Sequence, residues 1–348
     1  MPWVRPTAPP ILFTRDAFRE RVFARDRHCV ACYQPAADAH HLIERRLWPD
    51  GGYYLENGVA LCGDCHRRAE STELDAGQLR QLAALDVVHP LLPPGWPTDE
   101  QYDKWGNVIL PSGQRLRGEL FDDPSVQAVL APVLDRFVAW LKFPRIKHLP
   151  WSPGRTEDDL VHTSTSLLAL AAADVVITEK LDGENFSLYS DYLHARSPTG
   201  RSRPDQSWLR RWHSEHAADI PPKWRLCGEY LFATHSIHYR ALQSYFYLFA
   251  VFNERNVALP WADTADWAAL LGCPTVPVLY QGPWDVSAIT AHNYHHRERP
   301  FEGYVIRPSG ALTYREYPQL AAKYVVSRPT TSAHWRHERI VPNELAKL

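Results

Sequence analysis

The chain has 348 residues, of which 45% are hydrophobic and 22% charged, a balance typical of a globular protein with room for two domains. Its formal net charge of −2 excludes a global basic field, so any polyanion has to be bound by a local basic patch. The sequence contains neither an apolar run long enough for a membrane span nor a secretory signal over residues 1–10, so we expect a cytoplasmic protein with no membrane partner.

The first predicted helix follows Thr14, a suitable N-cap, and runs to Asp26 with Phe18, Val22 and Phe23 on one apolar face. Two Cys-x-x-Cys pairs come next, Cys29 with Cys32 and Cys62 with Cys65. Four thiolates at this spacing can surround Zn²⁺ tetrahedrally, and redox chemistry is the alternative. Because so short a segment has little core, we expect structural Zn²⁺ to supply the missing folding free energy.

Polar residues between and after the cysteine pairs suggest a second site. His40 and His66 could hold an open-site cation, and His41 could take a proton from water because an ordinary histidine has a pKa near neutrality. Asn57 could fix the backbone around them or orient His41. The alternative is that a small zinc fold simply carries surface histidines.

Residues 14–75 resemble the HNH endonuclease family in its zinc-bound ββα-metal form. The resemblance implies that His41 is the general base, that His40 and His66 bind a divalent metal, and that Asn57 is the central asparagine of that metal site. It further implies attack of water on a phosphodiester, and it leaves open whether DNA or RNA is cut. Many family members carry aspartate where this chain has His40.

The next stretch predicts a connection between domains. Proline and glycine are frequent over residues 86–115, which predicts a linker lying over a surface. Helical spacing over Pro124–Leu141 predicts a helix that is kinked at Pro132 and packs on the second domain. The predicted zinc module, linker with connector helix, and second domain cover residues 1–85, 86–141 and 142–348.

The second domain is predicted to be organised around Lys180. The β-branched run Val175–Thr178 predicts a strand, and Asp182 with Gly183 predicts a tight turn after it. Lys180 would then stand at a strand end beside Glu179 and Asp182, where desolvation or a nearby cation lowers the pKa of a lysine and makes it a nucleophile. The alternative is an ordinary hairpin with a solvated lysine.

Four later strands are each predicted to deliver one charged group: Arg196, Glu229, Glu302 and Lys323. With Lys180, these groups suit a cleft between two antiparallel sheets that holds a nucleoside triphosphate and Mg²⁺. A basic insert with interleaved tryptophans lies between them and comprises Arg201, Arg203, Arg210, Arg211, Lys223 and Arg225 around Trp208 and Trp212. It predicts contact with nucleic acid, unless the tryptophans form the buried stripe of a helix.

Six motifs in this order resemble the covalent nucleotidyltransferase superfamily, most closely its ATP-dependent RNA ligases, over about residues 142–328. The motifs are Glu179–Gly183, His194–Ser197, Leu226–Tyr230, Tyr247–Val251, Glu302–Ile306 and Ala322–Val325. Phe143–Pro150 also resembles the lead-in of one ligase group. Ala321 departs from the family, which often has a lysine there, and the residues after the last motif leave no room for the OB-fold of DNA ligases.

The resemblance implies that Lys180 becomes adenylated, that Phe249 stacks on the base, and that Glu302 belongs to a metal site. Lys323 would bind phosphate and neutralise the leaving pyrophosphate. The remaining nucleotide contacts that it implies are Glu179, Asp182, Gly183, Arg196 and Glu229.

The expected fold is therefore α+β, with a zinc-bound ββα-metal (HNH) module followed by an ATP-grasp-like ligase domain of antiparallel sheets and flanking helices. The expected function is ATP-dependent RNA ligation through Lys–AMP, with ATP, Mg²⁺ or Mn²⁺ and Zn²⁺ as cofactors and RNA ends or nicks as the partner, in end processing or repair. One alternative is an HNH endonuclease whose ligase-like domain only binds nucleic acid or nucleotide. Another is a zinc-bound adaptor without activity.

Overall fold

The computed structural model describes residues 9–200, 203–291, 300–326 and 340–347, and the chain divides into two compact units, Met1–Ala139 and Trp140–Leu348. Arg201 of the predicted basic insert lies outside the described residues. Within the described ranges, every helix is too short or too polar to cross a membrane.

The first unit contains four helices and six short strands in its described part. The helices are α1 (Arg15–Asp26), α2 (Gly63–Glu70), α3 (Ala76–Leu82) and α4 (Pro124–Leu130). The strands are β1 (Asp38–His41), β2 (Gly58–Leu61), β3 (Gln101–Tyr102), β4 (Val108–Ile109), β5 (Arg115–Leu116) and β6 (Phe137–Val138). The predicted helix at the start is confirmed, because α1 is capped by the Thr14 hydroxyl and buries Phe18 and Val22.

Strands β1 and β2 form an antiparallel pair in which His40 lies opposite Val59, and α2 follows directly. The order is therefore β, β, α, and it brings His40 on β1 near His66 on α2. Val59 and Leu61 are fully buried with Leu42 and Ile43 in the core of this unit.

The predicted linker is wrong over most of its length. Strands β3 to β6 form one sheet in that order, and Trp96, Tyr102 and Val108 belong to the same buried cluster as Leu42 and Cys65. Strands of two residues give no periodic pattern, so prolines and glycines were the strongest signal in the sequence.

The predicted connector helix is also shorter than expected. It ends at Leu130, because Pro132 lacks the N–H that an α-helix needs, and the chain continues as a 3-10 segment (Ala131–Arg136) into β6. Val126 and Leu130 pack on Trp105 and Phe121 of the first unit, so the predicted packing of this helix on the second domain is wrong.

The second unit contains two antiparallel-rich sheets, as expected for the α+β class. The six-stranded sheet has the order β10 (Leu193–Ala195), β9 (Glu184–Leu188), β11 (Arg225–Tyr230), β12 (Phe246–Phe252), β13 (Val257–Ala258) and β16 (Leu312–Thr313). The five-stranded sheet has the order β14 (Val278–Pro283), β8 (Asp174–Lys180), β15 (Gly303–Pro308), β17 (Ala322–Val325) and β7 (Lys147–His148). Only the pairing of β17 with β7 is parallel among these described strands.

The described helices of this unit are α5 (Ser164–Ala171), α6 (Ser207–His216), α7 (Trp261–Leu270), α8 (Val286–Ala291) and α9 (Tyr317–Leu320). The core that faces the junction of the two sheets includes Val176, Leu181, Leu231, Tyr247 and Trp261. Since β8 and β9 belong to different sheets, the turn after Lys180 connects two sheets and is not a hairpin.

Candidate functional site

Lys180 is the last residue of β8, where that strand lies opposite Gly303 of β15. Val175, Val176 and Ile177 are fully buried, so the β-branched run that predicted the strand also fixes its position in the sheet. The side chain of Lys180 is 27% exposed and points toward a cavity instead of bulk solvent.

Carboxylates surround the amine of Lys180. Its Nζ lies 2.5 Å from Oε1 of Glu302, the residue that directly precedes β15. Burial alone would lower the pKa of Lys180, but the charge of Glu302 outweighs it and holds that pKa above its usual value. The amine is therefore an ammonium in the ligand-free chain, and nucleophilic attack by it would require this negative charge to be offset.

The two carboxylates are suited to hold a divalent cation. Oε2 of Glu302 is buried and has no hydrogen-bond partner within the described residues, while Oε1 contacts Lys180. Burial raises the pKa of Glu229 to about 8, despite the nearby charge of Lys180, and burial also raises the pKa of Glu302. A buried carboxylate oxygen with unmet bonding capacity, Oε2 of Glu302, fits Mg²⁺ or Mn²⁺ and is consistent with the predicted place of Glu302 in a metal site.

A cavity of about 400 Å³ joins these groups. The predicted site residues that line it are Glu179, Lys180, Gly183, Arg196, Glu229, Phe249 and Lys323. Phe249 meets the ring of Phe143 edge-on, with 5.0 Å between the ring centroids, and so presents an aromatic wall to the cavity. The structure thus brings together an amine, cations, carboxylates and a ring, the groups that a nucleoside triphosphate needs.

Asp182 has a different place from the one expected. Its Oδ2 accepts hydrogen bonds from Ser236 N (2.7 Å), Ser236 Oγ (2.6 Å) and Ile237 N (2.9 Å), and its own N–H donates to Tyr239 Oη at 2.9 Å. It does not line the cavity with the other predicted residues. The role that the geometry supports is to hold the turn that follows Lys180.

Gly183 ends that turn in a confined space. Its N–H donates to Oε1 of Glu229 at 3.2 Å, which links the turn to the cavity. A Cβ added here would lie 2.5 Å from the backbone oxygen of Tyr230, closer than side chains approach. The Asp-Gly pair therefore reflects a steric requirement of the sheet-to-sheet connection.

Residues 340–347, far from Lys180 in sequence, support the turn that follows Lys180. Asn343 is buried, and its Oδ1 accepts from Tyr239 N (2.8 Å) and Thr234 Oγ1 (2.9 Å), while its Nδ2 donates to Leu231 O at 2.8 Å. Since Tyr239 in turn accepts from the N–H of Asp182, Asn343 is linked to the turn after Lys180 through a short chain of hydrogen bonds. Nothing in the local sequence around Asn343 indicated this role.

Arg145 and His235 are among the residues that line the cavity but were not predicted as site residues. Arg145 belongs to the basic lead-in stretch, whose strand β7 pairs with the strand that carries Lys323. The sequence showed the resemblance of this stretch to a ligase lead-in, but it did not show that Arg145 lines the cavity. His235 immediately precedes Ser236, which binds Asp182, and no charge pattern distinguished it.

The basic insert is mostly structural. The guanidinium of Arg203 pairs with Glu184 at 2.5 Å and Asp205 at 3.1 Å, and Arg225 is buried and donates to Leu141 O and Asn256 Oδ1. Trp212 belongs to the buried core, and Trp208 packs against it. These residues therefore follow the buried-stripe alternative, and Arg210 and Arg211 are the insert arginines that remain exposed on α6.

The four cysteines of the first unit converge as the spacing predicted. The Sγ atoms of Cys29, Cys32, Cys62 and Cys65 all lie within 4.8 Å of one another, and those of Cys32 and Cys62 are 3.6 Å apart. Thiolates in a tetrahedral zinc site are separated by about 3.8 Å.

A second group of possible ligands lies in a cavity of about 520 Å³. Oε1 of Glu70 is 3.2 Å from Nε2 of His66 and 3.4 Å from Nδ1 of His40. Burial lowers the pKa of His40 to about 3, so its imidazole is neutral, as a metal ligand must be. Glu70, which follows His66 by one helical turn, was not among the predicted ligands.

His41 departs from its expected pKa, and Asn57 follows the alternative in which it fixes the backbone. Burial, with help from Lys104, lowers the pKa of His41 to about 4, so the expected value near neutrality is wrong. The ring of His41 stacks on Phe18. Asn57 is fully buried and bonds through its side chain to Ile43 N, Ile43 O and Gly52 O. Asn57 therefore fixes the backbone after β1, and a place among the metal ligands does not agree with these bonds.

Residues 173–325 match the family model described as RNA ligase, which covers less than half of the chain. The comparison with curated proteins gives no match.

Solved structures with some likeness include an archaeal ATP-dependent RNA ligase (form 1), 17% identical with a TM-score of 0.37 over 53% of this chain and 48% of the other. A Naegleria gruberi RNA ligase mutant with ATP and Mn is 18% identical, with a TM-score of 0.35 over 46% and 52%. A protein from Aquifex aeolicus, provisionally described as an ATP-dependent DNA ligase, is 17% identical with a TM-score of 0.35 over 53% and 50%. The chain spans about half the length of these proteins. The segment that matches the RNA ligase family model, residues 173–325, lies within the second unit.

Proposed function

We propose that the second unit is an ATP-dependent RNA ligase in which Lys180 becomes covalently adenylated. The observation that carries this proposal is one cavity whose lining includes Lys180, Arg196, Glu229 and Lys323, with Glu302 bound to the amine of Lys180 behind that lining. All of these residues except Glu302 line the cavity directly, and all lie inside the segment that matches the RNA ligase family.

In the proposed first step, the amine of Lys180 attacks the α-phosphorus of ATP. A P–N bond forms, the P–O bond to pyrophosphate breaks, and the amine loses its protons. Glu302, 2.5 Å from the amine, is close enough to accept one of them. Arg196 and Lys323 can pair with the phosphate oxygens, so that catalysis depends on alignment and electrostatics.

Glu229 and Glu302 are the residues that would hold Mg²⁺ or Mn²⁺, and a divalent cation there supplies positive charge to the phosphate oxygens. Offsetting the carboxylate of Glu302 also removes the charge that keeps the pKa of Lys180 high. In the later steps, AMP moves from Lys180 to a 5′-phosphate, and a 3′-hydroxyl displaces AMP to form the phosphodiester.

The full chain should be incubated with α-labelled ATP and Mg²⁺, and then with nicked RNA duplexes, broken single-stranded RNA or nicked DNA. We expect a labelled chain that loses its label as RNA is sealed. Lys180→Ala should abolish the label, whereas Lys142→Ala, which changes an exposed lysine, should retain it. Labelling of Lys180→Ala would reject the nucleophile, and labelling without sealing would reject the ligase.

A second function, metal-dependent cleavage of nucleic acid, is supported for the first unit by one observation. His40 and His66 converge beside His41 in one cavity, next to a cysteine cluster suited to structural Zn²⁺. The HNH hypothesis expects cleavage that disappears in His41→Ala. If the chain cleaves nucleic acid but is not labelled with AMP, an endonuclease whose second unit only binds nucleic acid or nucleotide is favoured. If neither activity is found, a zinc-bound adaptor without activity is favoured.

A further inference from the structure

Glu70 lies at the centre of the second ligand group of the first unit. Its Oε1 is within 3.4 Å of one nitrogen from each of His40 and His66, and the three ligand atoms lie within 4.8 Å of one another. Ligands held about 2.1 Å from one metal ion are separated by about 3.0–3.4 Å, so these positions need little change to share a cation.

The same oxygen already has a cationic partner within the protein. Nζ of Lys104 lies 3.1 Å from Oε1 of Glu70, 3.1 Å from Oε2 of Glu44 and 3.4 Å from the backbone oxygen of His41. These three acceptors match the three donors of an ammonium group. The Lys104 side chain is only 7% exposed, so solvent screens its charge weakly.

The HNH resemblance already implies that His40 and His66 bind a divalent metal, and Glu70 lies with them in one ligand group. We propose that the ammonium of Lys104 competes with a divalent transition metal for Glu70 in this group. Imidazole nitrogens favour metals such as Mn²⁺, Ni²⁺ or Zn²⁺ over Mg²⁺, whose sites consist of oxygens. Lys104 belongs to the segment before β4, so the metal affinity of this site is set by a part of the chain outside the βα elements that supply its ligands.

This competition has a direct electrostatic reason. A metal bound to Glu70 would lie close to the Lys104 ammonium, which Glu44 and the His41 carbonyl continue to hold in place. Repulsion between two cations in a partly buried site weakens metal binding, and loss of the ammonium should strengthen it. The inference concerns metal binding and requires neither the ligase nor the nuclease activity.

The test is Mn²⁺ binding to the full chain loaded with a single equivalent of Zn²⁺, which the four thiolates take up, measured by electron paramagnetic resonance in a large excess of Mg²⁺. The Mg²⁺ occupies sites made only of oxygens, including the cavity of Lys180, so the remaining bound Mn²⁺ reports on the histidine site. Pulsed measurements should detect coupling of this Mn²⁺ to imidazole nitrogen.

Two variants should shift the affinity in opposite directions. Glu70→Gln should weaken Mn²⁺ binding at least about tenfold, and Lys104→Met should tighten it at least about tenfold. Glu44→Gln leaves all three metal ligands and keeps Lys104 on Glu70, so it should weaken binding and gives a second reading if Lys104→Met does not fold. Lys142→Met, a change at an exposed lysine, should leave the affinity unchanged.

Two results would overturn the proposal. One is bound Mn²⁺ without imidazole coupling, or no Mn²⁺ bound at all under excess Mg²⁺. The other is an affinity that does not increase in folded Lys104→Met, or that increases in Glu44→Gln. Neither result affects labelling of Lys180 by ATP, so failure of this inference is distinguishable from failure of the proposed ligase.

Discussion

At the scale of single residues, the reactivity of Lys180 depends on the charge beside it. In the ligand-free chain Glu302 contacts the amine and helps to hold its pKa high, which opposes nucleophilic attack. A site that keeps the lysine protonated until a cation is present would limit reaction with anything other than the metal-bound nucleotide.

The raised pKa of Glu229 should make AMP labelling of Lys180 depend on pH. Burial raises the pKa of Glu229 to about 8, so below that pH the carboxyl is protonated and binds a cation poorly. We predict that the rate of AMP labelling at low Mg²⁺ rises through about pH 8, and that higher Mg²⁺ moves the midpoint to lower pH, because the cation competes with the proton.

Labelling rates measured from pH 6 to pH 9 at two Mg²⁺ concentrations check this prediction. Asp174→Asn changes an exposed carboxylate at the far end of β8 and should keep the shift of the midpoint with Mg²⁺. A midpoint that is independent of Mg²⁺ in the unmodified chain would contradict the role given to Glu229.

A side chain at Gly183 should reduce both the stability of the chain and the rate of AMP labelling. In Gly183→Ala the added Cβ would meet the Tyr230 oxygen at 2.5 Å, so the turn has to move away from Glu229. We predict a loss of about 1–3 kcal/mol in the free energy of unfolding, measured with urea, and at least a tenfold slower AMP labelling. Gly310→Ala, which has open space around its added Cβ, should alter neither, and an active, fully stable Gly183→Ala would show that the turn tolerates a side chain.

At the scale of elements, the strands that carry charged groups could be predicted, and the contacts that fix their ends could not. The runs around Val176, Cys227 and Phe249 each become a buried strand at the expected place, because β-branched and aromatic residues mark them. The contacts of Lys104 and Asn343 are with residues distant in sequence, and no local sequence pattern predicts such contacts.

Residues 340–347 stabilise a turn that is more than 100 residues away in sequence. Removing the side chain of Asn343 leaves Tyr239 N and Leu231 O without their buried partners, which costs about 2 kcal/mol in stability. We predict that Asn343→Ala slows AMP labelling through displacement of Tyr239 and Asp182, with a larger effect on the rate than on the concentration of ATP needed for half-maximal labelling.

Single-turnover labelling over a range of ATP concentrations checks this. The matched control is Val341→Ala, because the Val341 side chain is half-exposed and its backbone bond to Thr234 N is unaffected. Equal labelling rates for Asn343→Ala and the unmodified chain would show that the segment stabilises the fold without positioning the turn.

At the scale of the whole molecule, the two compact units have separate sources of stability. The first has the cysteine cluster at the edge of a small core, whereas the second has two sheets and no metal-binding cysteines among its described residues. The sequence anticipated this division through cysteine spacing and motif order, but it placed the end of the first unit too early, because the two-residue strands over residues 101–138 carry no periodicity.

Removal of zinc should therefore act on one unit. Structural zinc sites contribute roughly 10 kcal/mol or more to folding, so a zinc-selective chelator or Cys65→Ser should expose residues 1–139 to proteolysis. Every residue that lines the Lys180 cavity belongs to the second unit, and we predict that AMP labelling in excess Mg²⁺ persists. Limited proteolysis and labelling of the same sample check this, and loss of labelling together with the first unit would contradict it.

The central claim is that the amine of Lys180 forms a P–N bond to adenylate, and the most direct measurement is to locate the AMP on the chain. The full-length protein is incubated with ATP and Mg²⁺, digested under conditions that preserve phosphoramidates, and sequenced by tandem mass spectrometry. The account predicts AMP on the peptide that contains Lys180, and on no peptide of Lys180→Ala. AMP on another residue of the unmodified chain, or its absence while RNA is still sealed, would contradict the account.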